Sequence, residues 1–312
     1  MIELVFLGTG GSIPTMGRNH PSVALKYQGY VLVFDAGEDV QRQFEAARIG
    51  LNKPMAIFIS HQHGDHILGL GGLLLRLSLL GRIKPLSIYG PKALIDYVKM
   101  NQETINLGTT FPTTVYGIEE SVVFSEEYAS VRSFQVDHRG FALGYEFTYQ
   151  RPTGQFLPEK AEELGVPKGP LWKSLASGNT VELEDGTQVE PGDVTSGKPK
   201  ALKIVYSGDT RPCQAVRVAA KDADILIHEA MYTMEHADLA SERGHSTASD
   251  AAEIARDCGV KLLLLTHYSP RYGDGAEIMN EARNVFSNAH LARDLLRIKL
   301  SLDGSIELNQ SE

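Results

Sequence analysis

Three imidazoles and one carboxylate fall within six residues, His61-Gln62-His63-Gly64-Asp65-His66, and no other stretch restricts the folding of this chain so tightly. The run before it, Met55-Ala56-Ile57-Phe58-Ile59, is apolar and β-prone, whereas Ile67 to Leu75 and beyond read as a buried helix ending near Leu80. The cluster therefore belongs on a strand-to-helix turn. Imidazole nitrogens and carboxylate oxygens are the ligands that suit borderline divalent ions such as zinc. In a compact loop His61 and His63 can face one ion while Asp65 and His66 face another, so two divalent ions per chain are expected. Helix capping would account for one histidine at such a turn, not for this density.

Composition sets the frame around that site. With 312 residues and 42% hydrophobic content, the chain can bury a large core as one α/β domain spanning 1–312. Met1 to Leu7 lacks a basic start and its apolar run is too short for a signal peptide, and no later segment is apolar enough to span a membrane. A cytoplasmic location is the expectation. Cys213 and Cys258 are far apart and follow no metal-type spacing, which reads as two reduced thiols. The formal net charge of −9 argues against holding nucleic acid by bulk electrostatics. Any such contact has to be local, with metal ions supplying part of the positive charge.

Taken in order, apolar strands recur with chemistry at their exits. Residues 2 to 7 lead into Gly8-Thr9-Gly10-Gly11-Ser12, a turn suited to close approach of backbone to a ligand. It is no dinucleotide fingerprint, since Ile13 stands where the third glycine belongs. Arg18 in the following loop reads either as a solvated cation or as a phosphate contact. Asp35 ends an apolar strand and could be no more than the cap of a helix beginning near Asp39. A period of two puts Phe134, Val136 and His138 on one face, which delivers His138 as a third imidazole for the first ion. Leu202 to Asp209 is a strand whose exit carboxylate is placed to bridge two ions, and Asp224 to Ala230 follows the same plan. Gly244-His245-Ser246-Thr247 opens a helix that Ser246 or Thr247 can cap, and Lys261 to His267 is a buried strand carrying one more histidine. Such a series fits an open α/β architecture whose site lies beyond the strand ends. Residues 152–199 break the pattern. Prolines and glycines multiply there around the only tryptophan, Trp172, and the stretch is longer than an ordinary connection, so it is either functional or a floppy insertion.

The H-x-H-x-D-H run resembles the signature of the metallo-β-lactamase superfamily, which implies an αββα sandwich, paired metals at one edge and hydrolysis. The similarity goes further. Phe6 to Gly11 with Pro14, Arg18 and Asn19, then His138, Leu164 to Trp172, Ser207 to Thr210, His228-Glu229-Ala230, His245-Ser246-Thr247 and Thr266-His267 resemble the ribonuclease Z family over nearly the full length. That resemblance implies an endoribonuclease that removes 3′ trailers from precursor transfer RNA. It implies His61, His63 and His138 on one metal, Asp65, His66 and His267 on the other, Asp209 between them, and Asp35 in support of the metal loop. It further implies that Asp65 orients or deprotonates the attacking water and that His245, oriented by Glu229, protonates the leaving oxygen. Residues 152–199 become a protruding substrate-binding arm, with Gly165, Gly169 and Pro170 as contacts, used by a homodimer in which one subunit's arm grips the RNA cut by the other. Two positions depart from the family pattern: Met231 replaces a frequent threonine, and Met16-Gly17 lacks a lysine that some members carry.

Two other readings compete. A small-molecule hydrolase of the same fold, acting on a thioester, lactone or cyclic phosphodiester, would need residues 152–199 as a lid with an apolar inner face, and the stretch is too polar for one. A non-catalytic RNA-binding scaffold would have lost ligands, and none is missing.

Overall fold

Runs rich in Val, Ile, Leu and Phe, bounded by turn residues, form two sheets. The structure, a computed structural model, describes residues 1–126, 128–197 and 201–309. The amino-terminal strands are β1 (Ile2–Gly8), β2 (Ser22–Tyr27), β3 (Tyr30–Phe34), β4 (Met55–Phe58), β5 (Leu86–Gly90) and β6 (Thr113–Gly117). They are followed by β7 (Ser121–Glu126), β8 (Ala129–His138) and β9 (Gly140–Tyr149). Four two-residue strands come next: β10 (Gln155–Phe156), β11 (Val181–Glu182), β12 (Gln188–Val189) and β13 (Thr195–Ser196). The carboxyl-terminal strands are β14 (Leu202–Tyr206), β15 (Ile225–Glu229), β16 (Leu262–Thr266), β17 (Ala289–Leu291), β18 (Arg297–Leu300) and β19 (Ile306–Asn309). The first sheet runs β19-β18-β1-β2-β3-β4-β5-β6 and the second β17-β16-β15-β14-β9-β8-β7. Parallel pairing joins β3 to β6 in one and β14 to β17 in the other, so two sets of carboxyl ends are generated.

Helices cover the outer faces. On the first sheet α1 (Val40–Ala46), α3 (Gly69–Leu79) and α4 (Ala93–Thr104) share a core with Val5, Val33, Ile57 and Ile88, while the single-turn α2 (Gly64–Ile67) carries part of the histidine cluster. On the second, α7 (Gln214–Ala220), α9 (Ala248–Asp257) and α10 (Ala276–Val285) bury alanines and Ile254 and Ile278 against Val205, Leu226, Leu263 and Leu265. The inner faces meet through aromatic rings: Phe34 lies 5.8 Å from both Tyr145 and Tyr206, and Phe58 lies 5.5 Å from Tyr145. Rings of this kind bury large areas and pack at tilted angles at about these distances. The result is an αββα sandwich.

The helix expected after the histidine cluster is broken at Leu68 and buried on one side only. Leu70, Leu73, Leu74 and Leu77 are buried, whereas Leu68, Leu75 and Leu79 are exposed, Leu79 at 77%. Their spacing puts them on one face.

By Cα proximity the chain divides into two units, Met1–Val123 with Val131–Phe147 and Lys203–Glu312, and a smaller one of Phe124–Ser130 with Thr148–Leu202. The smaller unit therefore also takes Phe124–Ser130, which the sequence did not suggest, and Lys198 and Pro199 of the expected arm lie outside the described residues. Nor is it a stretch of turns without a core. Pro158–Glu163 and Pro170–Ala176 are the helices α5 and α6, β10 pairs with β13 and β11 with β12. Ala161, Val166, Leu175, Val181, Val189 and Val194 are buried together, with Phe156 and Trp172 packed against them. Proline at the first position of both helices is well tolerated, since that N–H has no helical acceptor.

Candidate metal centre

The centre lies in the larger unit, at the carboxyl ends of strands from both sheets. His61, His63 and His66 follow β4, His138 ends β8, Asp209 follows β14, Glu229 ends β15 and His267 follows β16. His61 Nε2 faces His63 Nδ1 at 3.0 Å, and His138 Nε2 faces the same atom at 3.2 Å. His267 Nε2 lies 3.3 Å from both His66 Nε2 and Asp65 Oδ2. Between the two groups stands Asp209, whose Oδ2 is 3.3 Å from His66 Nε2, 3.4 Å from His267 Nε2 and 3.8 Å from His61 Nε2. The donor atoms of His61, His63, His138 and Asp209 fall within 4.8 Å of one another, as do those of Asp65, His66 and His267.

The donors fit divalent cations. Three of the rings spend Nδ1 outward: His66 donates to Asp35 Oδ2 at 2.7 Å, His138 to the Gly244 carbonyl at 2.6 Å and His61 to Ser60 Oγ at 3.0 Å. Their Nε2 lone pairs consequently converge, which repels unless a cation sits among them. Nitrogens on one tetrahedral zinc at about 2.0–2.1 Å lie about 3.4 Å apart, close to the separations seen here. Outward partners of this kind fix the tautomer and orientation of metal-binding histidines.

Charge in the pocket tells the same story. Burial pushes His61 well below its ordinary value, helped by His66, and burial with His138 lowers His63. Burial also lowers His138, against the opposing pull of Asp209. His66 goes the other way: burial alone would lower it, yet Asp209 and Asp35 hold it well above the usual imidazole range. Burial would raise Asp65 and Asp209, but His267 and His66 hold both carboxylates far below their ordinary range. A proton on His66 does what an ion would do, because protons and metals compete for the same lone pair.

Asp35 is buried completely and supports this loop. Its carboxylate accepts Ser60 N–H at 2.7 Å, Ser60 Oγ at 2.8 Å, the Tyr206 hydroxyl at 2.7 Å and His66. Helix α1 is preceded by Asp39, so Asp35 is no helix cap.

His245 stands beside the metal centre. Its Nδ1 donates to Glu229 Oε1 at 2.9 Å and lies 3.9 Å from Asp209 Oδ2. Glu229 is fixed in turn by the N–H groups of Thr210 at 2.8 Å and Met231 at 3.2 Å. Burial would lower His245, but the charge and hydrogen bond of Glu229, with the charge of Asp209, push it up to about 9. Its Nε2 makes no hydrogen bond among the described residues. Thr247, two residues on, caps α9 through a capping box with Asp250.

Two expectations need correction. Arg18 is not a free solvated cation: Nη2 and Nε donate to Thr9, Nη1 donates to the Tyr268 carbonyl at 3.1 Å, and the half-buried guanidinium stacks 3.2 Å above the Tyr268 ring. The close approach at the glycine turn is made to the chain itself. A Cβ on Gly11 would lie 2.6 Å from the His267 carbonyl oxygen, and one on Gly8 would collide with that of His20. This packing holds His267 at φ +55°, a strained backbone for a residue with a side chain. Sequence reasoning also missed Ser12, whose N–H donates to Asp65 Oδ2 at 2.9 Å, and Asp294, which accepts Thr9 Oγ1 at 2.8 Å and the Asn19 N–H at 2.7 Å. Neither has a local signature, because each partner is remote in sequence.

Gly165, Gly169 and Pro170 belong to the smaller unit and are exposed there. The two glycines have φ of +71° and +138°, with open space where a Cβ would be. Trp172 ties their turn down by donating from Nε1 to the Val166 carbonyl at 2.9 Å.

Known proteins resemble this chain over most of its length. Residues 175–268 match a family described as a beta-lactamase superfamily domain, and residues 2–110 match one described as anti-Pycsar protein Apyc1. The crystal structure of human tRNase Z, short form, superposes with a TM-score of 0.69 at 26% identity, covering 96% of this chain and 99% of that one. Ribonuclease Z of Gemmatimonas aurantiaca is 42% identical over 305 residues, 95% of each chain. That of Methanosarcina mazei is 41% identical over 304 residues, 96% of this chain and 98% of its own. The matched stretch spans 95–96% of this chain, so the likeness is to the whole protein and not to the histidine loop alone. The chain belongs to the ribonuclease Z family.

Proposed function

We propose that the protein is a metal-dependent endoribonuclease that removes the 3′ trailer from precursor transfer RNA by hydrolysing one phosphodiester. The observation that carries this is the meeting, in a member of this family, of two groups of metal donors with a histidine, His245, whose Nδ1 is held by Glu229 at 2.9 Å. His61, His63 and His138 would hold one zinc ion and Asp65, His66 and His267 a second, with Asp209 shared. Bound there, such ions lower the pKa of water from about 15.7 toward about 7 and offset phosphate charge.

The chain's own residues supply the proton traffic. Asp65, whose carboxylate is held ionised, accepts a hydrogen bond from the attacking water and aligns it. The water gives its proton to the Asp65 carboxylate and its oxygen bonds to phosphorus as the bond to the 3′ oxygen breaks, and His245 donates its Nε2 proton to that oxygen. Glu229 keeps the imidazole in the required orientation. The products are a transfer RNA with a 3′-hydroxyl and a trailer with a 5′-phosphate. Incubating the purified protein with a precursor transfer RNA and mapping both new ends tests the reading; a cut elsewhere, or none, overturns it.

Substrate choice is assigned to the arm, because a phosphodiesterase of this type cuts any strand it can reach. The exposed backbone around Gly165 and Gly169 with Pro170 would contact folded RNA by shape. Deleting 152–199 is expected to abolish most cleavage of precursor transfer RNA while sparing a small chromogenic phosphodiester, since every proposed ligand lies outside that segment. Equal loss of both activities would make the arm part of the fold or of the site.

The working form is taken to be a homodimer in the cytoplasm. In support, Leu68, Leu75 and Leu79 form an exposed apolar stripe on α3 and its approach, the kind of surface that a partner covers. No helix of the described residues is long and apolar enough to cross a membrane. Leu75→Asp with Leu79→Asp should halve the mass measured by light scattering and weaken precursor cleavage. An unchanged mass would remove α3 from the interface.

A further inference from the structure

Strand β17 is the edge strand of the second sheet, and its parallel register with β16 pairs Leu265 with Leu291. Just past β17, Asp294 accepts the Thr9 hydroxyl at 2.8 Å while the Thr9 carbonyl accepts the His267 N–H at 2.9 Å, which ties the exit of β17 to the loop that carries His267. Ligands of open α/β sheets bind outside the carboxyl ends of the strands. A pocket opens there, lined by Arg283, His290, Arg293 and Asp294 over an apolar floor that includes Leu291 and Leu296.

Its charge is unspent. Arg293 is exposed, and its guanidinium makes no hydrogen bond or ion pair among the described residues. Arg283 uses only Nε firmly, donating to the Ala289 carbonyl at 2.8 Å, while Nη2 lies 3.5 Å from His290 Nδ1. The carboxylate on the wall is occupied elsewhere: Asp294 accepts the Thr9 hydroxyl and both the backbone and side-chain N–H groups of Asn19. In a chain of net charge −9, two arginines without an acid to pair them mark an anion site, while burial and the Arg283 charge push His290 beside them below its ordinary value. The apolar floor adds a surface for the flat face of a base or a ribose. A positively charged groove that tracks the backbone is how proteins hold single-stranded nucleic acid.

We propose that this pocket is a nucleotide subsite that holds the single-stranded trailer as it leaves the cleavage centre, a reading that rests on the ribonuclease function above. Arg283 and Arg293 would bind backbone phosphates, and Leu291 with Leu296 would support one base.

The test measures KM and kcat for precursors with trailers of one and of about ten nucleotides, at several salt concentrations. Arg293→Gln and the double variant Arg283→Gln with Arg293→Gln are compared with the unaltered protein. Arg293→Gln removes no internal hydrogen bond, so it keeps the test valid if the double variant folds poorly, which its melting curve would reveal. For the long trailer the double variant should raise KM about 10-fold with kcat nearly kept, and flatten the salt dependence of log KM by about 1.4, the value for two single-strand phosphate contacts. The single variant should give about half that flattening. For the one-nucleotide trailer KM should move less than about twofold. Equal effects on both trailers, or an unchanged salt slope, overturn the subsite. Failure of the unaltered protein to cut either precursor overturns the ribonuclease reading itself.

Discussion

His245→Ala is expected to lose about 10² to 10⁴ in turnover on precursor transfer RNA, the usual contribution of a positioned general acid. Metal content, RNA affinity and melting temperature should stay close to those of the unaltered protein. The leaving group decides between this role and a purely structural one. An RNA 3′ oxygen departs as an alkoxide unless it is protonated, whereas p-nitrophenolate is stable on its own. The variant should therefore be impaired far less on a p-nitrophenyl phosphodiester than on RNA. Glu229→Ala should show a weaker form of the same pattern, and the double variant should be no worse than His245→Ala alone, as residues acting as a unit are non-additive. His245 also stands within ligand distance of Asp209 and His267. Loss of metal in His245→Ala, or equal losses on both substrates, would move it into the metal shell.

Asp209→Ala should be the more destructive change. Its Oδ2 approaches nitrogens of both donor groups, and the carboxylate is buried, so no other anion can replace it at the centre. Elemental analysis of the variant should find almost no zinc, and activity should fall by about 10⁴-fold or more on RNA and on the chromogenic ester alike, since the loss precedes any choice of leaving group. His267→Ala, by contrast, should chiefly weaken the site shared with Asp65 and His66. An Asp209→Ala protein that keeps two ions per chain would end the assignment of this residue as a shared ligand.

The donor cluster was legible in the sequence because most of its members stand just past an apolar strand, with Asp65 and His66 one turn further in α2, and parallel strands bring their carboxyl ends together. His138 emerged from a period of two, and Asp209 and His267 from the step from apolar run to polar residue. Arg18 misled for the opposite reason. Its acceptors are backbone carbonyls of Thr9 and Tyr268, and a carbonyl 250 residues away leaves no trace in the local pattern. The core of the smaller unit was hidden too, since strands of two residues are too short to show alternation. On α3 the leucine run reads as buried throughout, and only the structure separates the leucines that face the sheet from those that face outward.

The pairing of β1 with β18 carries a consequence for the order of events during translation. A ribosome releases β1 with the histidine loop early, but β18, which completes the edge of β1, and His267, which lies 202 residues from Asp65, emerge only with the carboxyl-terminal half. Until then the nascent protein has an unpaired strand edge that invites association with other chains. It also has half a cleavage centre. On the metal assignment proposed above, a nuclease divided in this way would stay inert while it is being made, and would become able to cut RNA only once its last strands had docked.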